Sequence, residues 1–122
     1  VTTSVMTAAQ VAAEEAFVNG QDDALPMVKQ YIKRRDYLHE GLEKLGFKNE
    51  LPEGAFYIFA KIPADLNQNS YDFCIEVAEK AKVGMIPGSS FGAGGEGYVR
   101  LSYATSLDNI KEALNRLQKY LD

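Results

Sequence analysis

The most constraining feature of the sequence is an apolar pattern of helical period between Pro26 and Gly46. The residues that recur on one face at three- and four-residue steps are Val28, Tyr31, Ile32, Arg35, Leu38, Leu42 and Leu45. This spacing predicts an amphipathic helix with one buried stripe. Asp22 and Asp23 precede Pro26 as they would at a helix N-terminus, and Gly46 ends the pattern.

Three further segments have helical character. Thr7–Val18 is rich in Ala and Glu and predicts a first helix, with Gly20 at the position of a helix stop. Ser70 can cap a later helix, with Asp72 in its first turn, and Ser106 can cap the last one. The apolar sides of these two helices are Phe73, Val77 and Ala81 in the first case and Ile110, Leu114, Leu117 and Leu121 in the second.

Strand character appears between these helices. Residues 55–62 are dense in aromatic and branched side chains and predict a largely buried strand. Residues 83–86 and 98–103 predict two shorter strands, and Phe47 can open another. The order helix, helix, strand, helix, strand, strand, helix predicts an α/β (α+β) fold, a two-layer sandwich in which helices pack on a small mixed or antiparallel sheet.

Length and composition narrow the class of protein. The 122 residues match one ordinary domain, so we expect residues 1–122 to form a single domain. Apolar residues make up 46% and charged residues 25%, as in a soluble globular protein. The net charge of -4 argues against a general nucleic-acid binder. No apolar run is long enough to cross a bilayer, and a lone cysteine gives no disulfide framework, so we expect a cytoplasmic protein.

Three features that could carry chemistry are better explained structurally. The glycine-rich segment 88–97 leads into a strand, whereas a phosphate cradle leads into a helix, so a flexible connection is the better interpretation. His39 has no neighbouring ligand set and is interpreted as a surface histidine, and no metal site is expected. Cys74 lies on the apolar side of a helix, where nothing lowers its pKa, and is interpreted as a core residue.

Arg100 is the strongest candidate for a binding residue. Strand alternation puts Val99, Leu101 and Tyr103 on one face and leaves Arg100 on the other, between Tyr98 and Ser102. A guanidinium in that position is suited to holding a carboxylate by two parallel hydrogen bonds. Taken alone, such an arginine is better explained by a structural ion pair or a solvated side chain.

Several motifs, in the same order, resemble the class I/II aminotransferases, which are pyridoxal-phosphate enzymes of fold type I. The strongest are Pro-Gly-Ser-Ser-Phe-Gly at 87–92 and Gly-Glu-Gly-Tyr-Val-Arg-Leu-Ser-Tyr-Ala at 95–104. The others are Pro-Glu-Gly-Ala-Phe-Tyr at 52–57, Tyr-x-x-Arg-Arg-Asp at 31–36, Thr-Thr-Ser at 2–4, and Ala-Gln with Ala-Ala at 9–13. The closest subgroup is the aspartate-aminotransferase-like enzymes of bacterial type.

The resemblance implies the C-terminal small domain of such an enzyme, with Arg100 binding the α-carboxylate of the amino-acid substrate. It places the Schiff-base lysine, in a Ser-Lys motif, and the other pyridoxal-phosphate ligands in a large domain upstream. No lysine here lies in such a motif, so we expect no catalytic or cofactor-binding residue in this chain. The parent enzyme would use an amino acid and a 2-oxo acid, act as a homodimer, and bind neither nucleic acid nor membrane. A start at Val1 rather than Met also favours a fragment.

Two alternatives remain at this point. The first is a stand-alone amino-acid-binding or regulatory module without catalysis. The second is a purely structural α/β domain without a ligand. The first helix favours the enzyme fragment, since its apolar residues surround much of its circumference, as expected if a large domain or partner covered it. The sequence leaves open which amino acid and which 2-oxo acid the parent uses.

Overall fold

A computed structural model describes residues 4–122, which divide into two compact units between Gln30 and Tyr31. Thr2 and Thr3, which belong to one of the motifs above, lie outside the described residues. The order of helices and strands is the predicted one. The elements are α1 (Thr7–Val18), α2 (Leu25–Lys44), β1 (Tyr57–Lys61), α3 (Ser70–Lys80), β2 (Ile86–Pro87), β3 (Tyr98–Ser102) and α4 (Leu107–Leu121).

The first unit, described from Ser4 to Gln30, contains α1 and the start of α2. Helix α1 has the predicted bounds. Asn19 is its C-cap, and the Asn19 N–H donates to the Glu15 and Ala16 carbonyls. Its side chains are exposed, including 61% of Val11 and 78% of Phe17. The expectation that a partner covers this helix therefore stays a prediction.

The second unit, Tyr31 to Asp122, is built on an antiparallel sheet in the order β1-β3-β2. Strand β3 is central: Tyr57 pairs with Ser102 at one end of β1, and Ile86 of β2 pairs with Arg100. One face of the sheet is buried under helices, which confirms the predicted α/β sandwich and resolves its sheet as antiparallel. The core residues that this face shares with the helices include Ile58, Ala60, Val99, Leu101, Leu38, Leu42, Phe73, Val77, Ile110 and Leu117.

The buried stripe of α2 is shorter than its sequence pattern. Leu38 and Leu42 are buried, whereas Val28 and Ile32 remain 45% and 43% exposed. The prediction of one buried stripe is thus wrong for the first half of the helix. The helical period fixes which residues share a face, but burial requires a neighbouring layer, which within the second unit Tyr31 and Leu38 meet and Ile32 does not.

Strand limits also differ from the predictions. The strand predicted over 55–62 is β1, and it buries one face only, with Ile58 inside and Phe59 39% exposed. The strand predicted over 83–86 shrinks to β2, and Phe47 is a fully buried core residue that opens no strand. Only a single bridge, Asn49 to Ala60, forms near it.

Of the two predicted helix caps, the cap of α3 is wrong and the cap of α4 is confirmed. Asn69, not Ser70, caps α3: its side-chain oxygen accepts hydrogen bonds from the Tyr71 and Asp72 backbone N–H groups at 3.1 Å. Ser70 is instead the first helical residue and is completely buried. Ser106 caps α4 as predicted, accepting from the Asn109 N–H at 3.1 Å.

Candidate functional site

Arg100 lies on the outer face of the sheet, as strand alternation predicts. Val99 and Leu101 on either side of it are buried, and Tyr103 is 2% exposed on the same inner face. Tyr57 and Phe59 of β1 also lie on the outer face, since side chains alternate along a strand and Ile58 between them is buried. Antiparallel pairing places Phe59 directly opposite Arg100.

Two aromatic rings contact the guanidinium of Arg100. Its Cζ atom lies 4.1 Å from the centre of the Tyr57 ring and 4.6 Å from the centre of the Phe91 ring. Both distances are within the range of cation–π attraction. Phe59 completes the cluster, stacked on Tyr98 at 5.2 Å and edge-on to Phe91 at 6.1 Å. We call Tyr57 and Phe91 the ring pair.

The charge of Arg100 has no counter-ion within residues 4–122. Arg35 forms a 2.7 Å ion pair with Asp36, and Arg116 forms a 2.8 Å ion pair with Glu112. Arg100, in contrast, forms no ion pair within the described chain, and the side-chain hydrogen bonds of arginines there come from Arg35 and Arg116. Its donors are therefore available to an anion from outside, and the structural ion pair that could have explained the residue is absent from this part of the protein.

The segment 88–97, which carries Phe91, is a strand connection as predicted, but it is held at both ends. It forms two short 3-10 turns, Gly88–Phe91 and Ala93–Gly95. Gly88 and Gly95 are buried against one another, so that a Cβ on either would overlap the carbonyl oxygen of the other. Only glycine permits this approach of two backbones.

Side-chain hydrogen bonds join the same segment to the start of α3. The hydroxyls of Ser70 and Ser89 lie 2.9 Å apart, and the Ser89 N–H donates to the Ser70 hydroxyl at 3.2 Å. The Glu96 carboxylate accepts from the Ser70 N–H at 2.6 Å and from the Gly97 N–H at 3.3 Å. The hydrogen bonds from Ser70, and then from Gly97, lower the pKa of Glu96 below its usual value.

The other sequence candidates fall outside this cluster. His39 is partly buried, and its Nδ1 lies 2.7 Å from the Asn49 Oδ1. Cys74 is a core residue as predicted, and burial raises the pKa of its thiol to about 11. Within the described residues no group of three or more metal-ligating side chains converges.

Two cavities occur elsewhere in the second unit. One of about 320 Å³ lies beside α4 and is lined by Lys82, Thr105 and Arg116 among others. The other, of about 260 Å³, lies between α2 and α4 near Gly41 and Leu114. Arg100 lines neither of these two cavities. Among the described helices, none has the length and apolar composition required to span a bilayer.

Sequence comparison relates this arrangement to known proteins. Residues 1–117 match the family described as aminotransferase class I and II. The chain belongs to this family. A relative named "Probable N-acetyl-LL-diaminopimelate aminotransferase", from Bacillus subtilis, is 48% identical over 92% of the chain and 28% of its own length. The LL-diaminopimelate aminotransferase of Halothermothrix orenii is 40% identical, over 93% of the chain and 29% of its own length.

A solved structure shows the same relation to the aminotransferases. The aspartate aminotransferase of Thermotoga maritima is 38% identical with a TM-score of 0.80, and the match covers 96% of this chain and 29% of that one. The chain thus spans less than a third of the length of these aminotransferases, and it aligns with a C-terminal part of them.

Membership of this family implies pyridoxal phosphate in the parent enzyme. The described residues do not fit a complete site for it. All nine lysines are exposed, whereas the lysine that binds this cofactor as an imine needs a protected site, and the glycine-rich segment runs into β3 and not into a helix N-terminus.

The ring pair is the feature that sequence reasoning missed. In the sequence, Phe91 and Tyr57 were each noted only as part of a motif. The signal in the sequence was the alternation of side chains along a strand. Tyr57 and Phe59 flank buried Ile58 and so lie on the opposite face of β1, which is the face of Arg100 once β1 pairs with β3.

Proposed function

We propose that this chain is the C-terminal small domain of a pyridoxal-phosphate-dependent aminotransferase, in which Arg100 binds the α-carboxylate of the amino-acid or 2-oxo-acid substrate. The observation that carries the proposal is a half-buried guanidinium on the central strand with no acceptor in residues 4–122. The family motif at 95–104 supports the same role for this arginine.

The rest of the parent enzyme supplies what this chain does not. The catalytic lysine and the phosphate ligands belong to a large domain of the same enzyme, which acts in the cytoplasm as a homodimer. Residues 1–122 form one domain of it, and the exposed apolar side chains of α1 lie under the rest of the enzyme. Aspartate is the amino donor that the subgroup suggests, and relatives named for aspartate and for LL-diaminopimelate provide the substrates to compare.

Substitution of Arg100 in the full-length enzyme tests this function. Arg100→Ala should raise the KM of the amino acid by a factor corresponding to about 2–4 kcal/mol, because a bidentate charge-assisted contact is lost. Arg34→Ala is the matched control, since Arg34 lies on α2, where its guanidinium is 5.4 Å from the Tyr31 ring, and it forms none of the contacts described for Arg100. An unchanged KM in the Arg100→Ala enzyme would remove the assignment.

An experiment on the isolated chain tests whether the cofactor site belongs to the large domain and not to this small domain. We expect that pyridoxal phosphate followed by borohydride leaves no stoichiometric adduct on any one lysine, as mass analysis can show. A single-site adduct would instead support a self-contained module with its own cofactor site. Transaminase activity from the pure chain would contradict the proposal in the same way.

A further inference from the structure

We infer that the ring pair, Tyr57 and Phe91, positions the guanidinium of Arg100 for its ligand without neutralising it. The inference rests on the proposed function of Arg100. Its starting point is that the two closest partners of this cation are rings, at 4.1 and 4.6 Å, and not carboxylates.

The two rings reach Arg100 from different elements. Tyr57 begins β1, whereas Phe91 ends the turn that follows β2. The guanidinium is thus contacted by rings from two segments that are far apart in the sequence. A flexible arginine side chain restrained in this way has less rotational freedom left to lose when a ligand binds.

The chemical nature of the partners matters as much as their position. A carboxylate could also hold a guanidinium, but it would accept the hydrogen bonds that a substrate carboxylate needs. Aromatic rings attract the positive charge through their quadrupole and accept no conventional hydrogen bond. The Arg100 side chain can therefore be ordered while its N–H groups remain free. A site that binds and releases a substrate in every turnover needs donors in this condition.

Phe91 shows by its exposure that it does not serve the core. It is 51% exposed, and its ring lies beside the Arg100 guanidinium and nearly perpendicular to the Phe59 ring. Its backbone, however, is held, since Gly88 and Ser89 fix the start of the same turn. Within this chain, the contact with the cation therefore gives this exposed ring on an anchored turn a role.

Kinetics of the full-length enzyme test the positioning role. Phe91→Leu keeps the apolar bulk and removes the ring, and it should raise the amino-acid KM about three- to tenfold while kcat changes less than twofold. Phe91→Tyr keeps the ring and should stay within twofold of the wild type. Tyr71→Leu is the matched control, because Tyr71 is 61% exposed on α3 and forms none of the ring contacts described for Arg100.

A second measurement separates positioning from simple loss of structure. In the isotope-labelled 122-residue chain, rotation about the Nε–Cζ bond of Arg100, followed by NMR, should be slower than in the Phe91→Leu variant, with equal melting midpoints. Equal rotation rates in the two proteins would overturn the inference.

The two proposals fail in different ways. A KM that rises in Arg100→Ala but not in Phe91→Leu would leave the carboxylate site in place and overturn the role of the ring pair. A rise in Phe91→Leu that Phe91→Tyr does not avoid would overturn it too. A KM that is insensitive to Arg100→Ala would sink the proposed function itself, even if the rings restrain the guanidinium.

Discussion

Gly88 and Gly95 pack backbone against backbone, each in the position that a side chain of the other would need. This contact closes the segment that presents Phe91 beside Arg100, and both glycines are buried. The geometry of the candidate site therefore depends on two residues that have no side chain.

Gly95→Ala should destabilise the protein by about 1–3 kcal/mol, because the added methyl group has to displace backbone and not a flexible side chain. Gly94→Ala is the control: a Cβ at that position meets nothing within 4 Å. Urea unfolding of both variants measures the difference. Equal stability of the two would show that the segment can rearrange freely.

Stability should depend on pH through Glu96. Its folded-state pKa is lowered by hydrogen bonds from Ser70 and Gly97, so its contribution is present above the ordinary glutamate pKa and is lost as the pH falls through the lower folded value. Urea midpoints of wild type and Glu96→Gln should therefore differ at neutral pH and converge in acid, below about pH 4. Glu50→Gln, at an exposed position outside this network, should run parallel to the wild type. A difference for Glu96→Gln that does not change with pH would contradict the assignment.

Tyr103→Phe should lower the free energy of unfolding by roughly 1 kcal/mol. The Tyr103 hydroxyl donates a 3.0 Å hydrogen bond to the carbonyl of Ala55, a residue with a φ of 60° just before β1. Thermal melts can compare it with Tyr71→Phe, in which an exposed hydroxyl is removed. Identical melting of the two variants would mean that water replaces the buried bond at no cost.

Cys74 should react slowly with thiol reagents in the folded protein. Burial raises its pKa to about 11, so at pH 8 roughly one thiol in a thousand is ionised, and the sulfur is also enclosed. Labelling with a chromogenic disulfide should be fast only in denaturant. Rapid reaction of the native protein would show that α3 opens readily.

The sequence predicted the order of elements and the faces of β3, because both follow from local periodicity. Alternation alone placed Arg100 opposite buried Val99 and Leu101, and strong apolar spacing located α2 and α4. The limits of β2, the exposure of Val28 and the cap by Asn69 depend on which neighbour each residue meets, and neighbours are set by the tertiary fold.

In the candidate site, too, some features follow from the local sequence and others only from the tertiary fold. Arg100 was predictable from its motif and strand position, whereas its two ring partners come from segments 43 and 9 residues away in the sequence. The partner of His39 was not predictable for a similar reason: Asn49 is ten residues away in the sequence.

The contact between Gly88 and Gly95 also determines which positions of the segment 88–97 tolerate substitution. Substitution at Gly88 or Gly95 meets backbone, whereas Ser90, Ala93 and Gly94 between them are exposed, and a Cβ at Gly94 meets open space. A library that varies these three positions should retain the fold while it changes the surface next to Phe91. The turn would then serve as a site at which laboratory evolution can alter substrate preference with little effect on the rest of the protein.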